Sequence, residues 1–349
     1  MSPSPYSASL SNAEPYHCSD LGSLRAITAA ELPRLRNLSV EKLVLAPGAI
    51  REPHWHSNAN QLSYCLQGDI LVSILDNDNG FSTFTLTAGE MFFVESGSLH
   101  HIENIGGTDA ELIMCFRHEN PQNFSLAASM GAMTDAVLGN TYDVDMSAWA
   151  DISRTTQSKP IVRRQGLPNI PHSAKLPNSH KFLVEAMKAP VLNEHGSAKQ
   201  ARSQFWPILH DMSMYSLRVE EDGMREPHWH PSTVEMGYVH RGYARMSIMD
   251  LKGVVETYTL QPGDVYFVPA AYPHQIEVLG DQDIHFLIFF DQPMPKDVGY
   301  RNSGTAMSRK VLAAAFGVEE SRLPALPFTP KDPLIVGKKN PEDPVKAKL

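Results

Sequence analysis

One internal repeat constrains the fold of this chain more than any other feature of its sequence. The stretch REPHWHSNANQ, residues 51–61, returns as REPHWHPSTVE, residues 225–235, with its first six residues unchanged. The separation of 174 positions is shared by further pairs: Gly68/Gly242, Gly89/Gly263 and His100/His274. The copies align without a gap over residues 51–104. A match of this length indicates two copies of one domain, and 349 residues are enough for both cores.

Each copy has the sequence pattern of β-structure. Apolar and polar residues alternate through QLSYCLQGDILVSILDNDNGFSTFTL, in which Asn79-Gly80 is a hairpin signal. Short strands separated by glycine and proline turns are typical of a sandwich or barrel. A more helical piece follows each β-region, at residues 124–139 and 305–323. The sequence therefore predicts an all-β chain with short peripheral helices.

Composition shifts suggest where the domains begin and end. Residues 151–180 are rich in Pro, Ser and Asn, as linkers are, and the C-terminal residues are irregular and charged. The predicted divisions are an irregular segment at 1–24, an N-terminal barrel with a helical extension at 25–150, a linker at 151–180, a C-terminal barrel with a helical extension at 181–327, and an irregular tail at 328–349.

Charge and cysteine usage exclude several classes of protein. A net charge of −9 and a pI near 5.9 argue against nucleic-acid binding, which needs clustered Lys and Arg. Three scattered cysteines are too few for a disulfide framework and favour a reducing compartment. The sequence shows neither a basic start followed by an apolar run nor a stretch of membrane-spanning length. We therefore expect a cytoplasmic protein that binds neither membranes nor nucleic acids.

The paired histidines are the best candidates for chemistry. Residues at i and i+2 of a strand point to the same face. His54 and His56 can therefore contact one shared ligand, as can His228 and His230. Each cluster would be completed by a side chain five residues after the second histidine and by a histidine from a distant strand. Such a cluster suits Mn or Fe and leaves coordination positions open for substrate and dioxygen. One such pair could simply be polar residues on a half-buried strand, but its repetition at the same spacing favours a metal site.

These motifs carry a family resemblance. GAIREPHWHSNANQ with G-x5-ESGSLHHIEN, and MREPHWHPSTVE with G-x5-PAAYPHQIEV, resemble the paired motifs of cupins. Two sets in one chain, each with an Arg three residues before the first His, resemble the bicupin oxalate decarboxylases over about residues 24–327. The resemblance implies two tandem cupin barrels of the double-stranded β-helix or jelly-roll type, in a homo-oligomer. It also implies that Mn is bound by three His and one Glu per barrel, and that oxalate is cleaved to formate and CO2 in the presence of O2.

The resemblance assigns ligands residue by residue. It gives site two a complete set, His228, His230, Glu235 and His274. It gives site one His54, His56 and His100, with Gln61 where the carboxylate should be. His101 is a spare candidate, although strand alternation turns it to the other face. Because an amide brings no negative charge, we expect site one to bind hard cations more weakly than site two does.

Further roles follow from the same resemblance. Arg51 and Arg225 stand where the family's arginine contacts the bound carboxylate, although each could instead form a salt bridge with the adjacent Glu52 or Glu226. Glu119 lies about where the family carries the proton-moving acid on a flexible lid, and it could equally be a solvated loop residue. The corresponding part of the second copy has Asp291 and Asp297 but no Glu.

The sequence leaves the reaction and the metal open. The preferred function is decarboxylation of oxalate or a similar small carboxylate, with one or two Mn per chain and O2 as co-catalyst. Fe or another divalent transition metal would also fit the ligands. The alternatives are a cupin oxidase or dioxygenase that acts on another small substrate, and a metal-binding protein without turnover.

Overall fold

The computed structural model describes residues 4–152 and 154–340 and divides the chain into two compact units. One unit is Leu10–Glu185, and the other consists of the residues up to Ser9 and from Ala186 onward. Strands dominate both units, so the prediction of an all-β chain with short helices is confirmed. Within the described residues, no helix is both long and apolar enough to cross a bilayer.

The first strand of the chain, β1 (Ser7–Ser9), belongs to the second of these units. The strands of the Leu10–Glu185 unit are β2 (His17–Ser19), β3 (Gly22–Ile27), β4 (Ser39–Leu45), β5 (Ala49–His56), β6 (Gln61–Gln67), β7 (Ile70–Leu75), β8 (Phe81–Leu86), β9 (Met91–Val94), β10 (Leu99–Asn104), β11 (Ala110–Phe116), β12 (Asn123–Ser125), β13 (Ile161–Arg163) and β14 (Lys181–Phe182). Its α-helices are α1 (Leu126–Gly131) and α2 (Asp135–Tyr142), and 3₁₀ turns cover Met146–Trp149 and His172–Lys175.

This unit is built from two antiparallel sheets. One has the strand order β14-β9-β6-β11-β4-β3-β2, and the other has the order β12-β5-β10-β7-β8, with β13 also pairing with β5. Alternate residues of both sheets point inward and form one apolar core that includes Leu43, Ile74, Phe92 and Phe116. The histidine strands β5 and β10 are neighbours, and His54 is paired directly with His100.

The second unit repeats this plan. Its remaining strands are β15 (Val191–Asn193), β16 (Gly196–Ala201), β17 (Ser213–Val219), β18 (Gly223–Trp229), β19 (Glu235–Arg241), β20 (Tyr243–Met249), β21 (Val255–Leu260), β22 (Asp264–Val268), β23 (His274–Leu279), β24 (Ile284–Phe290), β25 (Val298–Gly299) and β26 (Ile335–Gly337). Its helices are α3 (Tyr300–Ala306), α4 (Arg309–Phe316) and a 3₁₀ turn at Glu320–Arg322. The sheets have the orders β1-β22-β19-β24-β17-β16-β15 and β21-β20-β23-β18-β25, with β26 also pairing with β18.

The turn signals in the sequence produce the predicted turns. Asn79 has a φ of 62° in the loop between β7 and β8, where the Asp76 carboxylate accepts hydrogen bonds from the backbone N–H groups of Asp78 and Gly80. Gly89 and its repeat partner Gly263 have φ values of 85° and 89° immediately before β9 and β22. Glycine tolerates this left-handed conformation at no steric cost, which allows the sharp entry to each short apolar strand.

The segments expected to be irregular contain strands, which corrects those parts of the predicted division. Residues 1–24 contain β1, β2 and the start of β3, and the predicted linker contains β13. The described part of the tail contains β26, while residues 341–349 lie outside the described residues. These strands are only three residues long except for β3, so they carry too little alternation to be recognised without their sheet partners.

Each unit includes an edge strand that precedes the other barrel in the sequence: β1 belongs to the second unit and β14 to the first. Residues 7–9 pair with β22, and the Tyr6 carbonyl accepts a 2.8 Å hydrogen bond from the Phe267 N–H. In the Leu10–Glu185 unit, β14 pairs with β9, and the His180 carbonyl accepts a 3.0 Å bond from the Phe93 N–H. The division therefore falls at Glu185/Ala186 rather than at the predicted residue 181, because β14 belongs to the sheet of the first barrel.

We predict that Tyr6→Ala destabilises the unit that begins at Ala186. The Tyr6 side chain is 2% exposed in that unit's core, so its removal should lower the free energy of unfolding of the unit by about 3 kcal/mol. Urea unfolding followed by hydrogen exchange should show loss of protection in Asp264–Val268. The matched variant His180→Ala should affect Met91–Val94 instead, and unchanged protection of β22 in Tyr6→Ala would contradict the edge-strand assignment.

Candidate metal centres

In site two, four buried side chains converge inside the barrel. The His228, His230, Glu235 and His274 ligand atoms all lie within 4.8 Å of one another. Glu235 Oε2 is 2.6 Å from His230 Nε2 and 3.3 Å from His274 Nε2. Strand β18 provides His228 and leads directly into His230, while β19 and β23 begin at Glu235 and His274. The four predicted ligands are thus brought together at the ends of three strands.

Site one has the same arrangement with an amide in place of the carboxylate. His54, His56 and His100 form a buried group whose ligand atoms also lie within 4.8 Å of one another. The Gln61 carbonyl Oε1 is 3.0 Å from His56 Nε2 and 3.2 Å from His100 Nε2. Gln61 therefore points its oxygen toward the imidazoles, which is the orientation that a metal ligand requires. His101 pairs with Ser73 on the neighbouring strand and lies outside the cluster.

The hydrogen-bond partner of the fourth ligand differs between the two sites. Each partner suits its ligand, which is an amide in site one and a carboxylate in site two. In site one, Gln61 Nε2 donates a 2.9 Å hydrogen bond to Ser63 Oγ. In site two the position equivalent to Ser63 is Gly237, and the Tyr266 hydroxyl donates a 2.5 Å bond to Glu235 Oε1. A Cβ on Gly237 would lie 2.1 Å from the Tyr266 ring, so glycine is what makes room for this donor. An amide N–H needs an acceptor and a carboxylate needs a donor, and each site provides the appropriate group.

Most of the histidines are held in the neutral form that binds metals. Burial lowers the pKa of His54, His56 and His228 well below the ordinary value, and it lowers the pKa of His100 to about 4. His230 differs, because hydrogen bonds to Asp297 and Glu235 outweigh the effect of burial and raise its pKa to about 10. A metal at site two would therefore displace a proton from His230 on binding.

Both clusters fit a divalent metal ion. The Nδ1 atoms of His54, His100, His228 and His274 lie 2.7–3.1 Å from the carbonyls of Glu52, Ser98, Glu226 and Tyr272, respectively, which leaves each Nε2 free to bind a metal. His274 Nε2 is buried 3.3 Å from Glu235 Oε2, and among the described residues it makes no hydrogen bond of good geometry. Three imidazoles with one oxygen donor suit Mn, Fe and other divalent transition metals.

A buried arginine lies beside each cluster. Arg51 is 3% exposed and Arg225 is 6% exposed. Neither forms an ion pair with the glutamate next to it: Glu52 accepts hydrogen bonds from the hydroxyls of Ser125 and Ser158, and Glu226 accepts one from the Arg301 N–H. The two glutamates instead form hydrogen bonds with the segments that follow each barrel. The guanidinium groups stay buried without these glutamates as partners.

Backbone carbonyls orient both arginines. Arg51 Nη1 donates to the Pro160 carbonyl at 3.2 Å, and Arg225 Nη1 donates to the Leu334 carbonyl at 3.0 Å. Pro160 precedes β13 and Leu334 precedes β26, and the two residues are again 174 positions apart. Leu334 has a left-handed φ of 64°, an uncommon conformation for a residue with a Cβ and one often associated with functional sites.

Asp297 closes site two. Its Oδ2 lies 3.1 Å from Arg225 Nη2, and its Oδ1 lies 2.7 Å from His230 Nδ1. The cavity that remains between these groups measures about 20 Å³, which is room for roughly one water molecule. A substrate with two carboxylates is larger than this cavity, and Asp297 occupies the space beside Arg225.

Glu119 lies in the loop between β11 and β12. Its carboxylate accepts a 3.0 Å hydrogen bond from the Asn37 N–H, and its carbonyl accepts one from the Ala29 N–H. Hydrogen bonds from its own N–H and that of Asn37 keep the pKa of Glu119 below its ordinary value. In this arrangement Glu119 is an ionised group that connects its own loop to the loop between β3 and β4.

Comparison with known proteins agrees with this geometry. A family model described as Cupin matches residues 8–148 and again residues 186–322. The chain is a member of the cupin family. This cupin is 28% identical to oxalate decarboxylase OxdC from Bacillus subtilis (strain 168) over 293 residues, covering 79% of this chain and 73% of that protein. It is 24% identical to an oxalate decarboxylase from Arthroderma benhamiae over 342 residues, covering 90% of this chain and 80% of that protein.

Solved structures give the same relationship. A structure of Bacillus subtilis oxalate decarboxylase, determined for work on the Mn(II) centres of that enzyme, superposes with a TM-score of 0.85 and 26% identity. The match covers 96% of this cupin and 89% of that chain. The likeness therefore extends over both barrels and their helical extensions.

Sequence reasoning missed several residues that shape the two sites. Tyr266 and Ser63 were not recognised because their roles depend on a neighbouring strand. The sequence also did not single out Glu41, a buried acid that alternates with Leu43 and Leu45 on the inner face of β4. The repeat also continues beyond residues 51–104, since Ile161 and Ile335 occupy equivalent positions in β13 and β26.

We predict that Gln61→Glu raises the metal content per chain and that Glu235→Gln lowers it. The carboxylate neutralises part of the charge of a divalent ion, whereas the amide does not. Metal analysis of both variants, purified in parallel with the wild type from Mn-supplemented cells, measures the effect. Equal metal content in all three proteins would show that charge at this position does not control binding.

We also predict that Tyr266→Phe weakens the metal affinity of site two by roughly 10- to 100-fold, because it removes the hydroxyl that orients Glu235. Competition with a chelator measures the change. Phe92 is the equivalent residue in site one, so a Phe92→Tyr variant serves as the matched control and should leave site two unaffected. Unaltered affinity in Tyr266→Phe would exclude this supporting role.

Proposed function

We propose that this cupin decarboxylates oxalate, or a similarly small carboxylate, to formate and CO2, with Mn and O2. The observation that carries the proposal is the buried arginine beside a three-histidine cluster in each barrel. A guanidinium can hold a carboxylate through two parallel hydrogen bonds, which suits a small dianion at a metal site. The names of the relatives, oxalate decarboxylases from a bacterium and a fungus, support the same substrate class.

In the proposed reaction, Arg51 or Arg225 binds and orients one carboxylate of the substrate. A divalent metal held by the histidines and by Glu235 or Gln61 would supply Lewis acidity and, with O2, redox chemistry that weakens the C–C bond. Cleavage of that bond releases CO2 and leaves an electron pair on the remaining carboxylate carbon. An acid then delivers one proton to this carbon to give formate, and Glu119 is the acid that the sequence suggests for site one.

Oxidation of the substrate is the second candidate reaction. The favouring observation is that hydrogen bonds, including one from the Asn37 N–H, lower the pKa of Glu119 and hold it in the ionised form, which has no proton to donate. Without proton delivery, oxalate and O2 with two protons would give two CO2 and one H2O2. The ratio of formate to peroxide separates the two reactions.

The cellular context is part of the proposal. We infer a cytoplasmic homo-oligomer without nucleic-acid partners. The three cysteines Cys18, Cys65 and Cys115 are free in the structure, which supports a reducing compartment. Burial raises the pKa of Cys65 to about 12, so this thiol is unreactive at neutral pH. Size-exclusion chromatography with light scattering tests the oligomer.

The deciding experiment combines metal analysis with a formate assay on oxalate under air, using protein from Mn-supplemented cells. We expect formate from the wild type, and a loss of about 100-fold in either Arg51→Lys or Arg225→Lys, whichever belongs to the catalytic barrel. The arginine variant of the other barrel is the matched control. Bound Mn without formate would refute the proposed reaction, and full activity in both variants would refute the role of the arginines.

A further inference from the structure

Glu41 is a buried acid on the interior face of the first barrel. On β4 it pairs with Met114 of β11 and with Ala26 of β3. Met114 pairs in turn with Ser63, the residue that accepts the hydrogen bond from Gln61. Directly paired residues of an antiparallel sheet project to the same face, so Glu41 lies in the row of side chains that supports site one.

The equivalent residue of the second barrel indicates which site the Glu41 side chain lies beside. Tyr215 follows Glu41 by 174 residues, and it pairs with Ile288, which pairs with Gly237. This register is the same as that of Glu41, Met114 and Ser63. Tyr215 lines the site-two cavity together with Arg225, His228 and Glu235. By the equivalence of the two registers, Glu41 occupies the corresponding position beside site one.

The surroundings of Glu41 suit an acid that holds a proton. Its side chain accepts a 3.1 Å hydrogen bond from the Tyr16 hydroxyl, and it has no ion-pair partner among the described residues. Burial raises the pKa of Glu41 above its ordinary value, while the charge of Arg51 and the Tyr16 hydrogen bond oppose this change. The Arg51 charge also acts on His54, His56 and His100, so the arginine lies within electrostatic reach of both the cluster and Glu41.

We propose that Glu41, rather than the loop residue Glu119, donates the proton that completes formate at site one. The inference rests on the proposed decarboxylation. When the C–C bond of the substrate breaks and CO2 leaves, the electron pair stays on the remaining carbon. The Glu41 carboxyl transfers its proton to that carbon, which forms the C–H bond of formate, and the carboxylate then regains a proton from solvent.

The proposal distinguishes the two barrels. Site two has Tyr215 at the position of Glu41, and its nearby acid, Asp297, forms an ion pair with Arg225. In site one, Glu41 accepts a hydrogen bond from the Tyr16 hydroxyl and has no ion-pair partner among the described residues. The barrel with the amide ligand would therefore be the one that forms formate.

The test uses full-length protein loaded with Mn, with oxalate under air. Glu41→Gln removes the proton and keeps the shape of the side chain, and Glu41→Asp keeps the acid but withdraws it by one methylene. The matched control is Glu111→Gln, which changes an acid of the neighbouring strand β11 that pairs with Lys42 outside the core. Formate, H2O2 and bound Mn are measured for each protein and for Glu119→Gln.

We expect Glu41→Gln to retain Mn and to lose formate production by about 100-fold or more, with a rise in peroxide per oxalate consumed. Glu41→Asp should show the same shift to a smaller degree, and Glu111→Gln should match the wild type. A change in the ratio of products is not expected from a structural role.

Other outcomes would overturn the proposal. Unchanged formate in Glu41→Gln, or a loss confined to Glu119→Gln, would assign the proton to another group while the proposed function stands. Loss of Mn or of the fold in both Glu41 variants would give Glu41 a structural role. Absence of formate from the wild type would refute the proposed function itself, whatever the variants do.

Discussion

Hydrogen bonds between imidazoles and backbone carbonyls two residues upstream are the interactions on which both sites depend. His54 and His100 make this contact in one barrel, and His228 and His274 make it in the other. The contact fixes the tautomer and directs Nε2 into the barrel, where burial keeps the rings of His54, His100 and His228 neutral. The antiparallel pairing of His54 with His100 and of His228 with His274 then brings these atoms together.

The two sites differ as sets of residues rather than at one ligand. A carboxylate at Glu235 is accompanied by a phenol that donates to it and by a glycine that makes room for the phenol. An amide at Gln61 is accompanied by the hydroxyl of Ser63, which accepts its N–H. The acids near the arginines differ as well, since Asp297 comes from a loop and Glu41 from a strand. Each barrel thus places its negative charge differently around a similar cluster of histidines.

Short segments far from the histidine motifs complete each barrel. Residues before β13 and β26 provide the carbonyls that orient the buried arginines, and β1 and β14 complete the larger sheets. The segments of Pro160 and Leu334 contact the buried guanidinium groups, and burial strengthens the attraction that such a group exerts on a carboxylate. The irregular appearance of these segments in the sequence therefore conceals a direct contribution to the sites.

The sequence by itself determined the repeat, the all-β class and the histidine clusters, because a gapless offset of 174 residues and i, i+2 spacing on strands need no long-range information. It also identified Gln61 as the difference between the sites. Only the tertiary structure decided which residues surround these ligands, since Tyr266, Ser63 and Glu41 reach the sites through strand pairing, and pairing depends on register between distant segments. It likewise decided that Glu119 contacts Asn37, because a loop position has no periodicity that fixes the direction of its side chain.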